Sequence, residues 1–531
     1  TLQARDQETA LLAACKNGTV YIMRLIEPLQ LKNKTYKTAA IIESIGTAQH
    51  EIKTNIKIIV RVAVNSSNTH IPELTAGKYI ATAIQPSLVP DTHNPGGFHY
   101  KEWLFRNEIT HQLYLARGTW TLLPTKKSNK YLQVLQQKIS KRLQQNITGK
   151  QEKAVAAALL IGYKQDIDSD LMKAYSNTGV VHVIAISGMH LGLIYVLLLF
   201  LLKPLERFKR LKLFKTILVI LLLWLFSLLT GAGASVLRAV IMFSFIAGAD
   251  LFQRKGNIYN SMAFSAVALL LFNPYLLWDV GFQLSYAAVL SIVLFMKPIY
   301  HWFSIQNKLL DKIWQLNAVT LAAQILTLPL CIYHFHQAPT LFLISNFLAV
   351  PLSTFILYGL ILLMSCSFVP LLAKTVATVV AILLKWMNQF ILWVDHFTFS
   401  VVDGINHHPL QTILLYSFIA ATGIWLIQKR PNALKWSLAF LCLFFSIQIY
   451  VQYKTSRQQK LIVYNLSQHT AIDFMLGKRY YFIGDSVLLQ DGFLRNFHLK
   501  PSRIAHRTYE QPNISHPENN VWTINNKTIV H

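Results

Sequence analysis

Val181–Phe200 reads VHVIAISGMHLGLIYVLLLF, the first of a long series of apolar stretches. Its last eight residues, Leu193–Phe200, are apolar apart from the Tyr195 hydroxyl. The part before them carries His182, Ser187, Gly188, His190 and Gly192. Polar groups at membrane depth are costly unless they face protein, water or a solute. The stretch therefore predicts a spanning helix with one face kept from lipid, and the rest of the chain is organised around that face.

Composition agrees with a membrane setting. Of 531 residues, 53% are hydrophobic and 14% charged, and the mean hydropathy is +0.36. That balance suits several spans with soluble appendages and excludes a wholly water-soluble single core. Lys and Arg number 50 against 24 Asp and Glu, a net charge of +26. Part of this excess follows the positive-inside rule. The remainder asks for an anionic partner, either lipid headgroups or nucleic acid. The four cysteines (Cys15, Cys331, Cys366, Cys442) form no CxxC pair, which argues against a disulfide framework or a zinc site. Thr1–Thr19 is polar and lacks an initiator Met, so the chain is expected to begin upstream.

Upstream of the opening stretch, Thr19 to about Leu123 alternates apolar and polar residues in short runs broken by Asn, Gly and Pro, as in TVYIMRLIE and IKIIVRVAV. This predicts a small antiparallel β-barrel or sandwich over 1–125. After the turn at Asn94-Pro-Gly-Gly, aromatic and basic residues interleave: Phe98, Tyr100, Lys101, Trp103, Phe105 and Arg106. Aromatic faces beside cations suit single-stranded nucleic acid; a helix laying its aromatic side on the barrel is the alternative. Lys126–Lys150 then holds seven basic residues and no acid, with Leu132, Leu135, Ile139 and Leu143 at helical spacing. A basic amphipathic helix of this kind is expected on an anionic membrane surface, within a segment spanning 126–180. The Asp166, Asp168 and Asp170 cluster lacks an oxygen-rich loop and reads as helix capping.

Downstream, ten apolar segments predict a membrane domain over 181–452: 183–202, 216–233, 235–252, 258–272, 280–300, 316–333, 341–364, 375–395, 411–428 and 434–451. A crossing needs roughly 20 residues, so the fourth is short. Lys203, Arg207, Lys209, Arg210, Lys212 and Lys215 fill the first connection and mark it as cytoplasmic. Arg254/Lys255, Lys308/Lys312 and Lys429/Arg430/Lys435 fall on the same side. The opposite loops, GAGAS, NPYLLWD, HFHQAP and DGINHHP, hold almost no Lys or Arg. Ten crossings put both soluble ends on the non-cytoplasmic side. The polar intrusions Ser187–His190, Ser235–Arg238, Asp279–Ser285 and Asn346 then share the outer half of the bilayer, as an outward-facing vestibule would require.

HVIAISGMHLGLI (182–194), GASVLRAVIM (233–242), NPYLLWDVGFQLSYAAVLSI (273–292) and YHFHQAPTLFLISNFLAVPLS (333–353), in this order, resemble the ComEC family of competence proteins. NPGGFHYKEWLFRNEI (94–109) resembles the end of that family's outer oligonucleotide-binding-like domain. The resemblance runs from about residue 20 to 450. It implies an inner-membrane channel passing single-stranded DNA to the cytoplasm. An ATP-driven helicase or translocase on the cytoplasmic side and an outer DNA-receptor protein are the implied partners. Many family members end in a metallo-β-lactamase-like domain with an HxHxDH metal site. Here LIVYNLSQHTAIDFMLGKRYYFIGDS (461–486) looks like that domain's opening hairpins, with His469 and Asp473, and 453–531 carries no such run. A catalytic zinc needs three protein ligands. Nuclease activity is therefore not carried over, no metal or cofactor is expected, and 453–531 reads as a truncated, β-rich docking module.

The residues expected to line the DNA path are Ser187, His190, Arg238, Asp279, Gln283, Ser285, Asn346 and Lys385. Arg238 reads either as a phosphate contact or as an arginine reaching for headgroups. Asp279 is either an N-cap or the ion-pair partner of Arg238. Ser187 and His190 share a helix face, which admits a nucleophile and base; without an orienting acid or oxyanion signature, close helix approach is the plainer reading. His334 and His336 alternate as metal ligands can, or are simply solvated. Lys385, with Asn388 and Gln389 beside it, either lines the path or marks 375–395 as lying along the interface. No GxxxxGK[ST] loop appears, so movement would be powered elsewhere. A secondary transporter for a small anion would show midplane carboxylates and internal repeats; only Asp279 qualifies.

Overall fold

The computed structural model describes residues 19–27, 29–32, 35–46, 51–63, 77–91, 93–116, 118–123, 131–207, 209–251, 257–466, 468–490, 492–510, 521–524 and 527–530. Thr1–Gly18, Lys126, Lys127, Lys130, Arg254 and Lys255 fall outside the described residues. The N-terminal part is one eight-stranded sheet of β1 (Val20–Leu25), β2 (Gln30–Lys32), β3 (Thr35–Gly46), β4 (Glu51–Ala63), β5 (Tyr79–Thr82), β6 (Ser87–Leu88), β7 (Ile109–Leu115) and β8 (Trp120–Leu123). The strand order is β6-β7-β4-β3-β1-β5-β8, with β2 on β3. Burial alternates along β1 and β7, the period-2 signature of a sheet with one wet face. Met23, Ile42, Ile58, Val60, Ile80 and Leu113 fill the other face. The expectation of a purely antiparallel unit needs correction: β4 and β7 pair in parallel. A parallel pair needs a crossover connection, and the segment carrying β5, β6 and α1 (Tyr100–Arg106) supplies it.

Two helices follow, α2 (Tyr131–Asn146) and α3 (Lys150–Ile161). α2 keeps Lys138, Lys141 and Arg142 exposed on one face, whereas α3 departs from the expected surface belt. Leu143 and Ile147 of the α2 segment join a large core, and in α3 every residue from Ala154 to Ile161 is buried. Four alanines among those eight residues let neighbouring helices approach from all sides. Next come α4 (Ser169–Asn177) and α5 (Val181–Ile184), both docked into the same core.

Each of the ten apolar segments carries one helix: α6 (Gly188–Leu201), α7 (Lys209–Leu229), α8 (Ala234–Leu251), α9 (Ile258–Phe272), α10 (Val280–Tyr300), α11 (Lys308–Phe335), α12 (Phe342–Ser365), α13 (Pro370–Asp395), α14 (Pro409–Gln428) and α15 (Pro431–Ser456). Among the described residues, seven (α7 and α10–α15) are long and apolar enough to cross a membrane, and the apolar runs in α6, α8 and α9 are shorter. The chain is thus a multi-spanning membrane protein. Side-chain caps fix the starts of α9, α10 and α11, where Asn257, Asp279 and Asn307 accept from backbone N–H groups. α13, the segment in doubt, is the most enclosed of the seven.

The C-terminal module is a four-stranded sheet, β9 (Gln459–Val463), β10 (Ala471–Leu476), β11 (Arg479–Gly484) and β12 (Tyr509–Glu510), with α16 (Lys500–Ala505) and a separate hairpin of Val521–Ile524 and Lys527–Val530. It touches both other parts. Asn94 receives a bond from the Asn465 amide (2.8 Å) and lies 3.0 Å from His498 Nδ1. Lys500 pairs with Asp403 at 2.5 Å, and Asn406 donates to the Ala505 carbonyl at 3.0 Å. The β domain also reaches the membrane domain, where Arg106 lies over Trp278 (5.4 Å) and Phe105 meets Tyr275 edge-on. The two soluble parts and the loops at 273–279 and 403–408 therefore occupy one end of the molecule.

Candidate functional site: a buried arginine at a broken helix

The opening stretch does not form one helix. Chain continuity breaks at Ala185–Ser187, where Ala185 and Ser187 take extended backbone between α5 and α6. Tyr358 donates to the Leu193 carbonyl (3.1 Å), and Val183 and Ile184 share a core with Ala349 and Ile356. Tyr358 lies about 24 Å along α12 at ~1.5 Å per residue, and Leu193 is little more than a turn past the start of α6. The N-terminus of α6 therefore lies near the middle of α12, not at its end. Such a half-helix aims its unpaired N–H groups and positive dipole end into the bundle.

Ser187 and His190 close this terminus together. The Ser187 amide donates to His190 Nδ1 at 3.2 Å, and the serine hydroxyl lies at the same distance. Nδ1 is thus the acceptor, which leaves the proton on Nε2. That Nε2–H is buried and has no partner among the described residues. No carboxylate orients the ring, so the pair caps a helix and is not built as a catalytic dyad.

Arg238 of α8 lies against the same terminus. A Cβ added at Gly188 would come within 2.7 Å of Arg238 Nη2, so the glycine makes room for the guanidinium. Arg238 is only 5% exposed. Its Nε donates to Ser285 Oγ (2.6 Å), its Nη1 to Met242 Sδ (3.2 Å), and the group lies 5.6 Å from the Tyr286 ring centroid. Of the two readings of Asp279, the N-cap is the one formed and the ion pair with Arg238 is not. Asp279 spends its carboxylate on the Phe282 amide at 2.7 Å, because it occupies the N-cap of α10. Arg238 therefore has no carboxylate partner among the described residues. A buried cation next to a helix N-terminus, with no anion between them, is an electropositive site.

Gln283 bridges the Leu277 carbonyl (2.8 Å) and His334 Nε2 (2.9 Å). His336 turns away to the Ile405 carbonyl, so the two histidines do not converge. Asn346 is buried near the start of α12 with its Oδ1 unpartnered among the described residues. Lys385 is exposed, while Asn388 is buried and accepts from Tyr175 Oη at 2.8 Å. The structure thus brings Ser187, His190, Arg238 and Ser285 together, sets Asp279 and Gln283 just above them on α10, and leaves Lys385 apart. Tyr286 and Met242 complete the site and had not been singled out; Met242 was legible as the i+4 neighbour of Arg238.

In the β domain, Phe98, Tyr100, Lys101, Trp103 and Arg106 all sit on or beside α1. Trp103 stacks on Tyr100 (6.0 Å), and Lys37 donates to Tyr100 Oη (2.7 Å). Leu104 anchors the helix in a small core against which Tyr100 also packs, while the rings on either side face outward: Phe98 is 51% and Trp103 45% exposed. In the C-terminal module His469 pairs with Asp485, and Asp473 is held by Arg503 at 2.8 and 2.9 Å and by Tyr464. Among the described residues no group of three His, Cys, Asp or Glu is placed to hold a metal.

Comparison with known proteins completes the picture. A family model described as a competence protein matches residues 159–430, and one described as the ComEC C-terminal domain matches 461–531. ComE operon protein 3 of Bacillus subtilis (strain 168) is 32% identical over 346 residues, 63% of this chain and 42% of that protein. Recombination protein 2 of Haemophilus influenzae is 24% identical over 280 residues, 51% of this chain and 34% of that one. An uncharacterised Aquifex aeolicus protein is 23% identical over 342 residues, 63% of this chain and 75% of its own length. The chain spans less than half the length of the first two of these curated relatives. No solved structure matches. The first family model takes in the broken helix, Arg238 and the α10 polar run, and with its C-terminal companion it places the chain in the ComEC family of competence proteins.

Proposed function

We propose that this chain conducts single-stranded DNA across the inner membrane during natural transformation. The carrying observation is Arg238, a buried cation with no carboxylate partner among the described residues, set against a half-helix N-terminus inside the membrane domain. Placing an arginine at membrane depth costs about 2.5–3.5 kcal/mol on insertion scales, and an anion passing the site would recover part of that cost. The acceptors at Ser285 and Met242 are neutral and exchangeable, so a phosphate can take their place and be released again, as conduction requires. Such contacts ignore base sequence and weaken with salt.

The end bearing the two soluble parts faces away from the cytoplasm on this reading, because Lys203, Arg207 and Lys212 lie at the opposite end. Lys138, Lys141 and Arg142 meet anionic lipid. A cytoplasmic ATP-driven translocase pulls the strand and an outer receptor delivers it. The chain itself is not the nuclease.

The test is complementation of a deletion strain with Arg238→Ala. Transformation should fall at least about tenfold for any donor sequence, the effect expected where one charge-assisted phosphate contact is lost, with normal membrane insertion. Wild-type transformation by the variant sinks the reading.

A further inference from the structure

The β domain and the C-terminal module share more than a hydrogen-bonded contact. Phe493 stacks on Phe497 at 5.1 Å, Phe497 meets Phe98 at 6.2 Å, Phe98 meets Trp103 at 6.3 Å, and Trp103 stacks on Tyr100 at 6.0 Å. Five rings thus form one continuous series across the boundary between two parts of the chain. Phe493 and Phe497 reach the same face because they are four residues apart on a helical segment. The series is held in register by the Asn94 contacts to Asn465 and His498. It is also held by Gly96, whose Cβ would fall within 2.8 Å of the Pro501 carbonyl.

A ring series that served only packing would be buried. Phe493 is 58% exposed, Phe98 51% and Trp103 45%. Contiguous exposed aromatics mark a binding surface. Basic groups accompany the rings: Lys37 lies 5.0 Å from the Tyr100 ring centroid, Lys101 follows Tyr100 in α1 and is exposed, and the acids Glu102 and Asp403 are paired with Arg106 and Lys500. Rings interleaved with cations fit an unpaired polyanion with π-faces. The α1 end of the series leads to Trp278 and Tyr275 on the membrane domain.

We infer that Phe493 and Phe497 of the C-terminal module extend the aromatic face of the β domain into one composite platform for single-stranded DNA, which stacks bases before the strand enters the membrane domain. This rests on the reading of the chain as a handler of single strands, and it gives the C-terminal module a binding role of its own.

The test uses the full chain in detergent micelles. Its probes are a fluorescent thymine strand of about 12 nucleotides and an abasic strand of equal length, a size within the range of such platforms. Wild type should prefer the thymine strand. Phe493→Ala, at an exposed position where folding is spared, and the double change with Phe497→Ala should each weaken thymine binding about fivefold or more. Abasic binding should not move, and Phe493→Trp should restore the preference. Equal binding of both strands by wild type, binding of neither, or intact thymine binding by the double variant would overturn the platform. Because Arg238→Ala is scored by uptake and leaves this surface untouched, failure of the platform and failure of the conduit remain separable.

Discussion

Among the described residues two arginines are buried, and a carboxylate neutralises only one of them. Arg503 is 6% exposed and packed over Tyr480 at 4.0 Å, yet it holds its proton more tightly than an ordinary arginine. Burial works against its charge, and the hydrogen bonds and charge of Asp473 more than offset it. Asp473→Ala would strand that cation, a loss of about 3–5 kcal/mol for a broken buried pair. Thermal unfolding of the full chain in detergent should show the C-terminal module melting first, while Lys500→Ala, at an exposed pair, should leave the melt nearly unchanged. Arg238 lacks such an anchor, which is why it carries the functional proposal. The sequence made Arg238 legible because an arginine inside an apolar run has few innocent explanations. Arg503 was not legible: HLKPSRIAHR is a polar stretch, and its partner Asp473 is 30 residues away. The ion pair imagined for Asp279 failed for a local reason, since a helix starting at Val280 claims that carboxylate first.

At the level of helices, the break at Ala185–Ser187 matters because it stops α6 part-way through the bundle. Gly188 then has two tasks, to open the half-helix and to admit the guanidinium. Gly188→Leu would place a side chain where Arg238 Nη2 lies, 2.7 Å from the ideal Cβ, and push the cation off the helix terminus. The variant should insert normally and reproduce the uptake defect of Arg238→Ala; adding Arg238→Ala should then cost little more, because the two changes remove one interaction. A double-mutant transformation assay reads this directly, and additive losses would show that the glycine acts elsewhere. The apolar segments were legible from composition, and their ends were set by Asn and Asp caps visible in the sequence. The helix over Glu152–Leu160 was legible, but the burial of α3 on all sides was not. At 12 residues it is too short to read as a span, and its Ala-rich surface has no polar face to betray that both sides are covered. The parallel β4–β7 pair was equally hidden, because alternation reports a strand and not its direction.

For the molecule as a whole, contact between the β domain and the C-terminal module restricts the topology. Both must lie on one side of the membrane, so the number of crossings between them is even. Among the described residues seven helices meet the length and composition needed to cross, an odd number; with all seven crossing, an even total requires either one or all three of α6, α8 and α9 to cross as well. α5 and α6 together cover Val181–Leu201, long enough at ~1.5 Å per residue for a core of ~30 Å despite the break. The contact itself should respond to pH. Burial holds His498 below the ordinary imidazole value, and Asn94 Nδ2 can donate to its Nδ1 only while that nitrogen is unprotonated. Because the separated state takes up the proton first, this contribution to docking is fully present above about pH 6.5 and is lost as pH falls from there through the lower value that burial gives the docked imidazole. His407 acts in the same sense. Burial, then Arg507 and His336, lower it, and its ring packs against Phe444. Cysteines placed at Phe98 and Phe497, which leave Asn94 and His498 in place, with Cys15, Cys331, Cys366 and Cys442 replaced, should crosslink in intact cells at neutral pH and less readily near pH 5.5. A membrane-impermeant thiol reagent should reach them from outside. Crosslinking that ignores pH removes the histidine from the contact, and labelling confined to opened cells reverses the orientation while leaving the even count intact.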